Sequence, residues 1–237
     1  MNGLIDTHFH LDMYKNYNEI FQLIQNEKQY TLCMTNSPGI YQSCMEMFQK
    51  NKYVKFALGF HPLYEGLGEI DFEQFLYLVN SVDYVGEVGL DFSNKAIMNK
   101  SMQISCFDRI VKKCSEQNKL MSIHIRGAEI EALEILKKYR PRKCIIHWYT
   151  GPKYLVKEFI EIGCYFSINA NMIKHGNFND IIGERILIES DGPYSSVNGK
   201  KFFPNLLLEE YKVIAGALND PDLIQHVWNN FKDILTK

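Results

Sequence analysis

The sequence predicts an α/β protein built as a closed (β/α)8 barrel of the TIM type. Three observations lead there. Short apolar, β-rich runs alternate with amphipathic stretches, the pattern of βαβ units and a parallel sheet. Eight such runs fit within 237 residues, about the length of one barrel domain, so residues 1–237 are expected to form a single domain. Nearly every run ends, on its C-terminal side, in a His, Asp or Glu. A barrel gathers its site from several strand ends, whereas a doubly wound open sheet concentrates it at one switch point.

Each element follows in turn. Strands are expected at residues 4–10, 30–36, 54–60, 84–90, 120–125, 143–148, 165–170 and 186–191. Helical patterns fill the intervals at 17–28, 41–49, 72–80, 103–117 and 129–139. Their apolar residues recur at three- and four-residue steps, as in Ile104, Phe107, Val111 and in Ile130, Leu133, Leu136. Two further helices are expected at 206–218 and 222–235.

Composition excludes several classes. With 46% hydrophobic and 23% charged residues and a mean hydropathy of -0.22, the chain is neither disordered nor of low complexity. Twenty-six Lys+Arg against 28 Asp+Glu give a net charge of -2, so no global basic field draws it onto nucleic acid. None of the six cysteines forms a C-x-x-C pair, and residues 1–12 lack the basic start and apolar stretch of a signal peptide. Reduced, mostly buried thiols in the cytoplasm are the expectation. Apolar runs such as Leu206 to Leu208 are far too short to span a bilayer.

The chemistry sits at the strand ends. In Asp6-Thr7-His8-Phe9-His10, residues two apart share a face, so His8 and His10 point inward together with Asp6 below them. Paired neutral imidazoles suit a divalent ion, and a nearby carboxylate fixes their tautomer. Glu87 lies in the apolar segment Val85-Gly86-Glu87-Val88-Gly89-Leu90-Asp91, where a lone carboxylate would be costly. A cation removes that cost, and a bidentate Glu bridges two. His124 and His147 end the next two strands, and Asp191 follows the eighth. Four imidazoles and two carboxylates from five strands therefore predict a two-metal site. Two divalent ions bring +4 and the two carboxylates -2, leaving about +2 for an anionic phosphodiester. Asp191 is placed to orient or deprotonate a metal-activated water. Mixed His and carboxylate donors suit Zn²⁺ or Mn²⁺ better than Mg²⁺.

These residues carry a resemblance. The segments Asp6-Thr7-His8-Phe9-His10-Leu11-Asp12, Gly59-Phe60-His61-Pro62, Gly86-Glu87-Val88-Gly89-Leu90-Asp91, Ser122-Ile123-His124-Ile125-Arg126, His147-Trp148-Tyr149-Thr150-Gly151 and Glu189-Ser190-Asp191-Gly192-Pro193-Tyr194 occur in the order found in TatD-family metal-dependent deoxyribonucleases. The chain resembles that family, part of the amidohydrolase-like barrels. The resemblance implies His8, His10, Glu87 and Asp191 around one ion and Glu87, His124 and His147 around the other. It implies exonucleolytic hydrolysis of DNA and places His61 near substrate phosphate. Arg126, two residues beyond His124, and Lys200 and Lys201, beyond the last strand, are candidate phosphate contacts. His175 and His226 fall in no motif.

The chain departs from the commoner family pattern in Ser195-Ser196-Val197-Asn198-Gly199-Lys200-Lys201 and Pro204-Asn205, and in a compact loop after Asp91. Here, and in Cys164-Tyr165-Phe166-Ser167, it resembles the TatD-type subunit of Qat anti-phage defence systems, which implies protein partners of such a system. Two readings compete with the nuclease: cleavage of a small amide, lactone or phosphate ester on the same barrel, and a barrel that serves mainly as a binding subunit. Many amidohydrolases bridge their metals with a carboxylated Lys, but this chain offers Glu87. A binding-only barrel would be expected to lose ligands, and all six positions are filled.

Overall fold

The structure, a computed structural model, describes residues 3–175 and 185–237. Its strands are β1 Ile5–Phe9, β2 Tyr30–Cys33, β3 Val54–Phe56, β4 Leu58–Phe60, β5 Tyr84–Asp91, β6 Leu120–Arg126, β7 Cys144–His147, β8 Tyr165–Ile168 and β9 Ile186–Ile188. They pair in parallel in the orders β1-β2-β3 and β4-β5-β6-β7-β8-β9. Taking β3 and β4 as one position, eight staves form the expected barrel.

The single strand expected at 54–60 is broken at Ala57, and one side chain explains the break. Thr35 Oγ1 donates to the Ala57 carbonyl at 2.8 Å and accepts the Gly59 N–H at 3.1 Å, replacing a backbone ladder with a kink. A Cβ on Gly59 would lie 1.6 Å from the Thr35 carbonyl, so only glycine permits the approach. Beyond the kink, Glu87 N–H donates to the Thr35 carbonyl at 2.9 Å, which ties the end of β2 to β5.

The seam between β9 and β1 closes through hydrogen bonds at and beyond the strand ends. Thr7 Oγ1 donates to the Ile188 carbonyl (3.0 Å), Ser190 N–H to Asp6 (2.9 Å), Asp191 N–H to the His8 carbonyl (2.8 Å) and His10 N–H to the Gly192 carbonyl (2.9 Å).

The helices are α1 Tyr17–Asn26, α2 Pro38–Met47, α3 Glu69–Leu78, α4 Lys100–Glu116, α5 Glu129–Tyr139, α6 Lys153–Glu161, α7 Ala170–His175, α8 Leu207–Leu218 and α9 Leu223–Thr236. Helices α2, α3 and α4 each begin three residues before their apolar periodicity. Ser37 caps α2 by accepting the Ile40 N–H, and Asn99 caps α4 by accepting the Met102 N–H. The core between barrel and helices includes the ring cluster Tyr149, Phe159 and Phe166, with centroids 5.5–6.2 Å apart. Each such buried ring contributes roughly 1.5–3 kcal/mol. At the N-terminal ends of the strands, α8 and α9 hold the barrel: Tyr211 Oη donates to the Ile5 carbonyl and Trp228 Nε1 to the Gly3 carbonyl. Among the described residues, no helix is long and apolar enough to cross a membrane.

Glu210 on α8 is fully buried; one carboxylate oxygen accepts the Ala170 N–H and the other has no partner. Burial pushes its carboxyl up to about 8, against the opposing Ala170 hydrogen bond. An unfolded carboxyl titrates near ~4.3. The folded state therefore holds the extra proton, and its stability, complete below that value, falls as pH rises towards 8. Glu210→Gln keeps the acceptor and drops the ionisation. Its melting temperature is expected to decline less than the parent's between pH 5 and 9. Parallel decline of the two would contradict the assignment.

Candidate metal centre

The residues at the barrel's C-terminal mouth converge on Glu87. Glycines flank it: a Cβ on Gly86 would meet Met34 Sδ at 2.5 Å, and one on Gly89 the His124 carbonyl at 1.9 Å. β5 therefore lies hard against its neighbours and carries the Glu87 carboxylate, 5% exposed, into the centre of the mouth.

The two carboxylate oxygens face different partners. Glu87 Oε2 lies 3.5 Å from His8 Nε2 and 3.3 Å from His10 Nε2. Asp191 Oδ1 completes that side, 3.7 Å and 3.4 Å from the same two nitrogens. Glu87 Oε1 lies 2.9 Å from His147 Nε2, 3.0 Å from His124 Nδ1 and 3.2 Å from His61 Nε2. His8, His10, His61, Glu87, His124, His147 and Asp191 are thus brought together.

Partners behind the imidazoles set which nitrogen faces the centre. His124 Nε2 meets Asp91 Oδ2 at 3.0 Å, leaving Nδ1 directed at Glu87. His147 Nδ1 is 3.5 Å from Glu189 Oε2, an ion-pair distance without hydrogen-bond alignment. His8 Nδ1 shares a hydrogen bond with Ser122 Oγ at 2.9 Å. Buried His10 Nδ1 has no partner. His61 differs in kind: its Nδ1 accepts the Leu63 N–H at 3.1 Å, so its Nε2 carries the proton of the neutral ring. Asp6, expected beneath the histidines as a tautomer-fixing carboxylate, instead binds Ser190 through its hydroxyl (2.5 Å) and N–H (2.9 Å), holding the β9–β1 seam.

The electrostatics fit a cation. Burial alone would raise the Glu87 carboxyl, but His61, His147, His10 and His124 outweigh it and hold it well below the usual range. Burial alone would lower His10, yet Asp191 and Glu87 bring it to about 10. His147 is raised well above its ordinary value by Glu87 and Glu189 against the same burial. His8 moves down, through burial and the stacked His147 ring at 3.9 Å. His8 Nε2 and His10 Nε2 are only 3.2 Å apart and aimed at the same acceptors. Two neutral lone pairs so placed need a proton or a metal ion between them and the carboxylates. Among the described residues, three ligand groups meet the spacing for an ion: His8, His10 and Asp191; His8, Glu87 and His147; His61, Glu87 and His124. The imidazole and carboxylate donors suit Zn²⁺ or Mn²⁺.

A cavity of about 560 Å³ opens above the centre. Arg126 stands exposed on its wall. Lys200 and Lys201 form β11, an exposed two-residue strand paired antiparallel with β10 Ser196–Val197, and neither lines the cavity. His226 pairs with Asp220 at 2.7 Å and His175 ends α7, both apart from the centre. Sequence reasoning missed Asp91, Ser122 and Glu189 as partners of the imidazoles. It also missed Asn36, Tyr64 and Tyr194 on the cavity wall, where the buried Asn36 Oδ1 has no partner.

The profile of the family described as TatD related DNase matches residues 5–236. An uncharacterized metal-dependent hydrolase of Buchnera aphidicola subsp. Baizongia pistaciae (strain Bp) is 30% identical over 211 residues, covering 81% of this chain and 79% of that protein. The human 3'-5' RNA nuclease TATDN2 is 29% identical over 220 residues, covering 81% of this chain but 28% of its own. The crystal structure of YJJV, a TatD homolog from Escherichia coli K12, shares the fold with a TM-score of 0.85 at 19% identity, covering 98% of both chains.

Proposed function

The chain belongs to the TatD-related DNase family and is a metal-dependent hydrolase, and from that premise we propose that it trims DNA from a strand end with two divalent cations held on either side of Glu87. One observation carries the reading: the two oxygens of a single buried carboxylate face two separate sets of nitrogens. His8, His10 and Asp191 with Glu87 Oε2 would hold one ion, and His124 and His147 with Glu87 Oε1 the other. Such a pair supplies Lewis acidity and lowers the pKa of coordinated water from 15.7 to about 7.

The chain's own groups do the rest. Asp191 orients the attacking water and takes its proton. His61, protonated at Nε2, donates to a phosphate oxygen instead of ligating. Arg126 offers its forked guanidinium to a neighbouring phosphate. Asp91 and Glu189 hold His124 and His147 with the coordinating nitrogen inward, a support whose loss typically weakens metal affinity 10–100-fold. His10 and His147, both raised by the carboxylates beside them, would each release a proton on ligating an ion.

The resemblance of residues 195–205 to the Qat-type subunit supports work inside a defence assembly, for which co-purification with its partner proteins is the measure. The hydrolytic reading is tested with protein dialysed against EDTA and labelled DNA and RNA oligonucleotides. DNA hydrolysis is expected to vanish on metal removal and return with Mn²⁺, Zn²⁺ or Mg²⁺. Full activity in excess EDTA would overturn the metal mechanism, and cleavage of RNA alone would overturn the choice of DNA.

A further inference from the structure

Seven described non-glycine residues have positive φ, and five of them lie in turns or at helix ends, where that conformation ends or reverses the chain. Arg140 and Asn219, for example, are the C-caps of α5 and α8. The other two, Asp191 and Trp148, line the cavity. Trp148 has φ +36°, a conformation that a bulky side chain enters only when its surroundings hold it there.

Its packing against the core is partial. Trp148 is only half-buried, whereas the adjacent Tyr149 is 2% exposed, bonds the Pro152 carbonyl and stacks into the core. The strained residue is the one turned to the cavity. Two more rings share that wall: Tyr64, 36% exposed, and Tyr194, 57% exposed, whose ring lies at 80° to His10 with centroids 5.4 Å apart. Flat apolar rings beside a cation-binding centre and an arginine fit a ligand that is anionic at one end and flat at the other. The cavity's 560 Å³ lies in the range of small-molecule sites, ~300–1,000 Å³, and suits one nucleotide.

We infer that Trp148, with Tyr64 and Tyr194, is a stacking platform for the base of the terminal nucleotide whose phosphate occupies the centre. This inference rests on the nuclease reading. It makes Trp148 a specificity residue, one that distinguishes a base-bearing end from a bare sugar phosphate.

The chain has two tryptophans, and Trp228 lies at the far end of the barrel against Tyr30. In Trp228→Phe, emission therefore reports Trp148 alone. Metal-loaded protein is titrated with thymidine monophosphate and with deoxyribose 5-phosphate, which differ only by the base. The nucleotide is expected to quench Trp148 saturably and to bind roughly 5- to 150-fold tighter, the range of one base stack. With the parent enzyme, an oligonucleotide ending in an abasic nucleotide should lose a similar factor in kcat/KM. Trp148→Phe should keep most of the preference and Trp148→Ala lose it, without further loss on the abasic end. Equal affinity for the two phosphates, or nucleotide binding that leaves Trp148 emission unchanged, would overturn the platform while DNA cleavage continued. Failure of every oligonucleotide to be cleaved would instead remove the nuclease reading itself, and the platform with it.

Discussion

Glu87→Gln is expected to stop turnover and to empty both proposed cation positions together. The carboxylate spreads one negative charge over two oxygens, each within 3.5 Å of at least two imidazole nitrogens. An amide of the same shape supplies one oxygen and turns an N–H₂ group towards the other set. Whichever way it flips, one metal position faces a donor that cannot ligate, and the shared charge is gone from both. Removing a partner behind a ligand typically costs 10–100-fold, so loss of the bridge should exceed about 10³-fold in kcat/KM. Elemental analysis of the purified variant should find almost no metal per chain where the parent, prepared the same way, retains it. A variant with parental rate and metal content would make Glu87 a structural carboxylate.

Asp191→Asn should separate chemistry from binding. Asp191 Oδ1 sits against His8 and His10, and Asn retains an oxygen there while losing the basicity that accepts a proton. A fall in kcat of about 10²–10⁴-fold is expected, the usual contribution of a general base. DNA affinity should hold or rise slightly as a negative charge leaves the cavity. Lys200→Ala with Lys201→Ala is the contrast. These exposed residues lie off the cavity, and the role proposed for them is contact with phosphates further along the strand. Removing both should raise KM for long oligonucleotides and flatten the salt dependence of binding by up to about 1.4 in log–log slope, with kcat unchanged. A large fall in kcat for the lysine pair beside an active Asp191→Asn would move the catalytic centre elsewhere.

Much of this architecture was legible because two periods are written plainly in the chain. Alternating apolar runs located all eight barrel positions, and the bounds of α5 matched its periodic stretch. Helix starts were read late at α2, α3 and α4, since caps and first turns fall outside the periodic stretch; the signals were Ser37-Pro38, Gly68 with Asp71, and Asn99. The short helices α6 and α7 were not anticipated. The kink at Ala57 was illegible, because Thr35, 22 residues upstream, causes it. In the centre, the period-two rule that paired His8 with His10 would also have found the supporting residues. Ser122 precedes His124 by two, Glu189 precedes Asp191 by two, and Asp91 follows Glu87 by four. What that rule could not show is which histidine each partner serves: Ser122 holds His8 and Glu189 faces His147, contacts that cross between strands. Nor does a sequence reveal that Trp148 is left-handed and its neighbour Tyr149 buried.

The seam between β9 and β1 has a bearing on how the molecule is born. His8 and His10 frame the first stave of the barrel, and their carboxylate partner Asp191 comes more than 180 residues later along the chain. The N–H groups of Ser190 and Asp191 that join the two ends of the barrel arrive with it. Contacts so distant along the chain form late and slowly in folding. A growing polypeptide that has not yet delivered β9 lacks the aspartate, the support for His147 and the closing bonds all at once. The candidate metal centre is therefore complete only once the last stave docks.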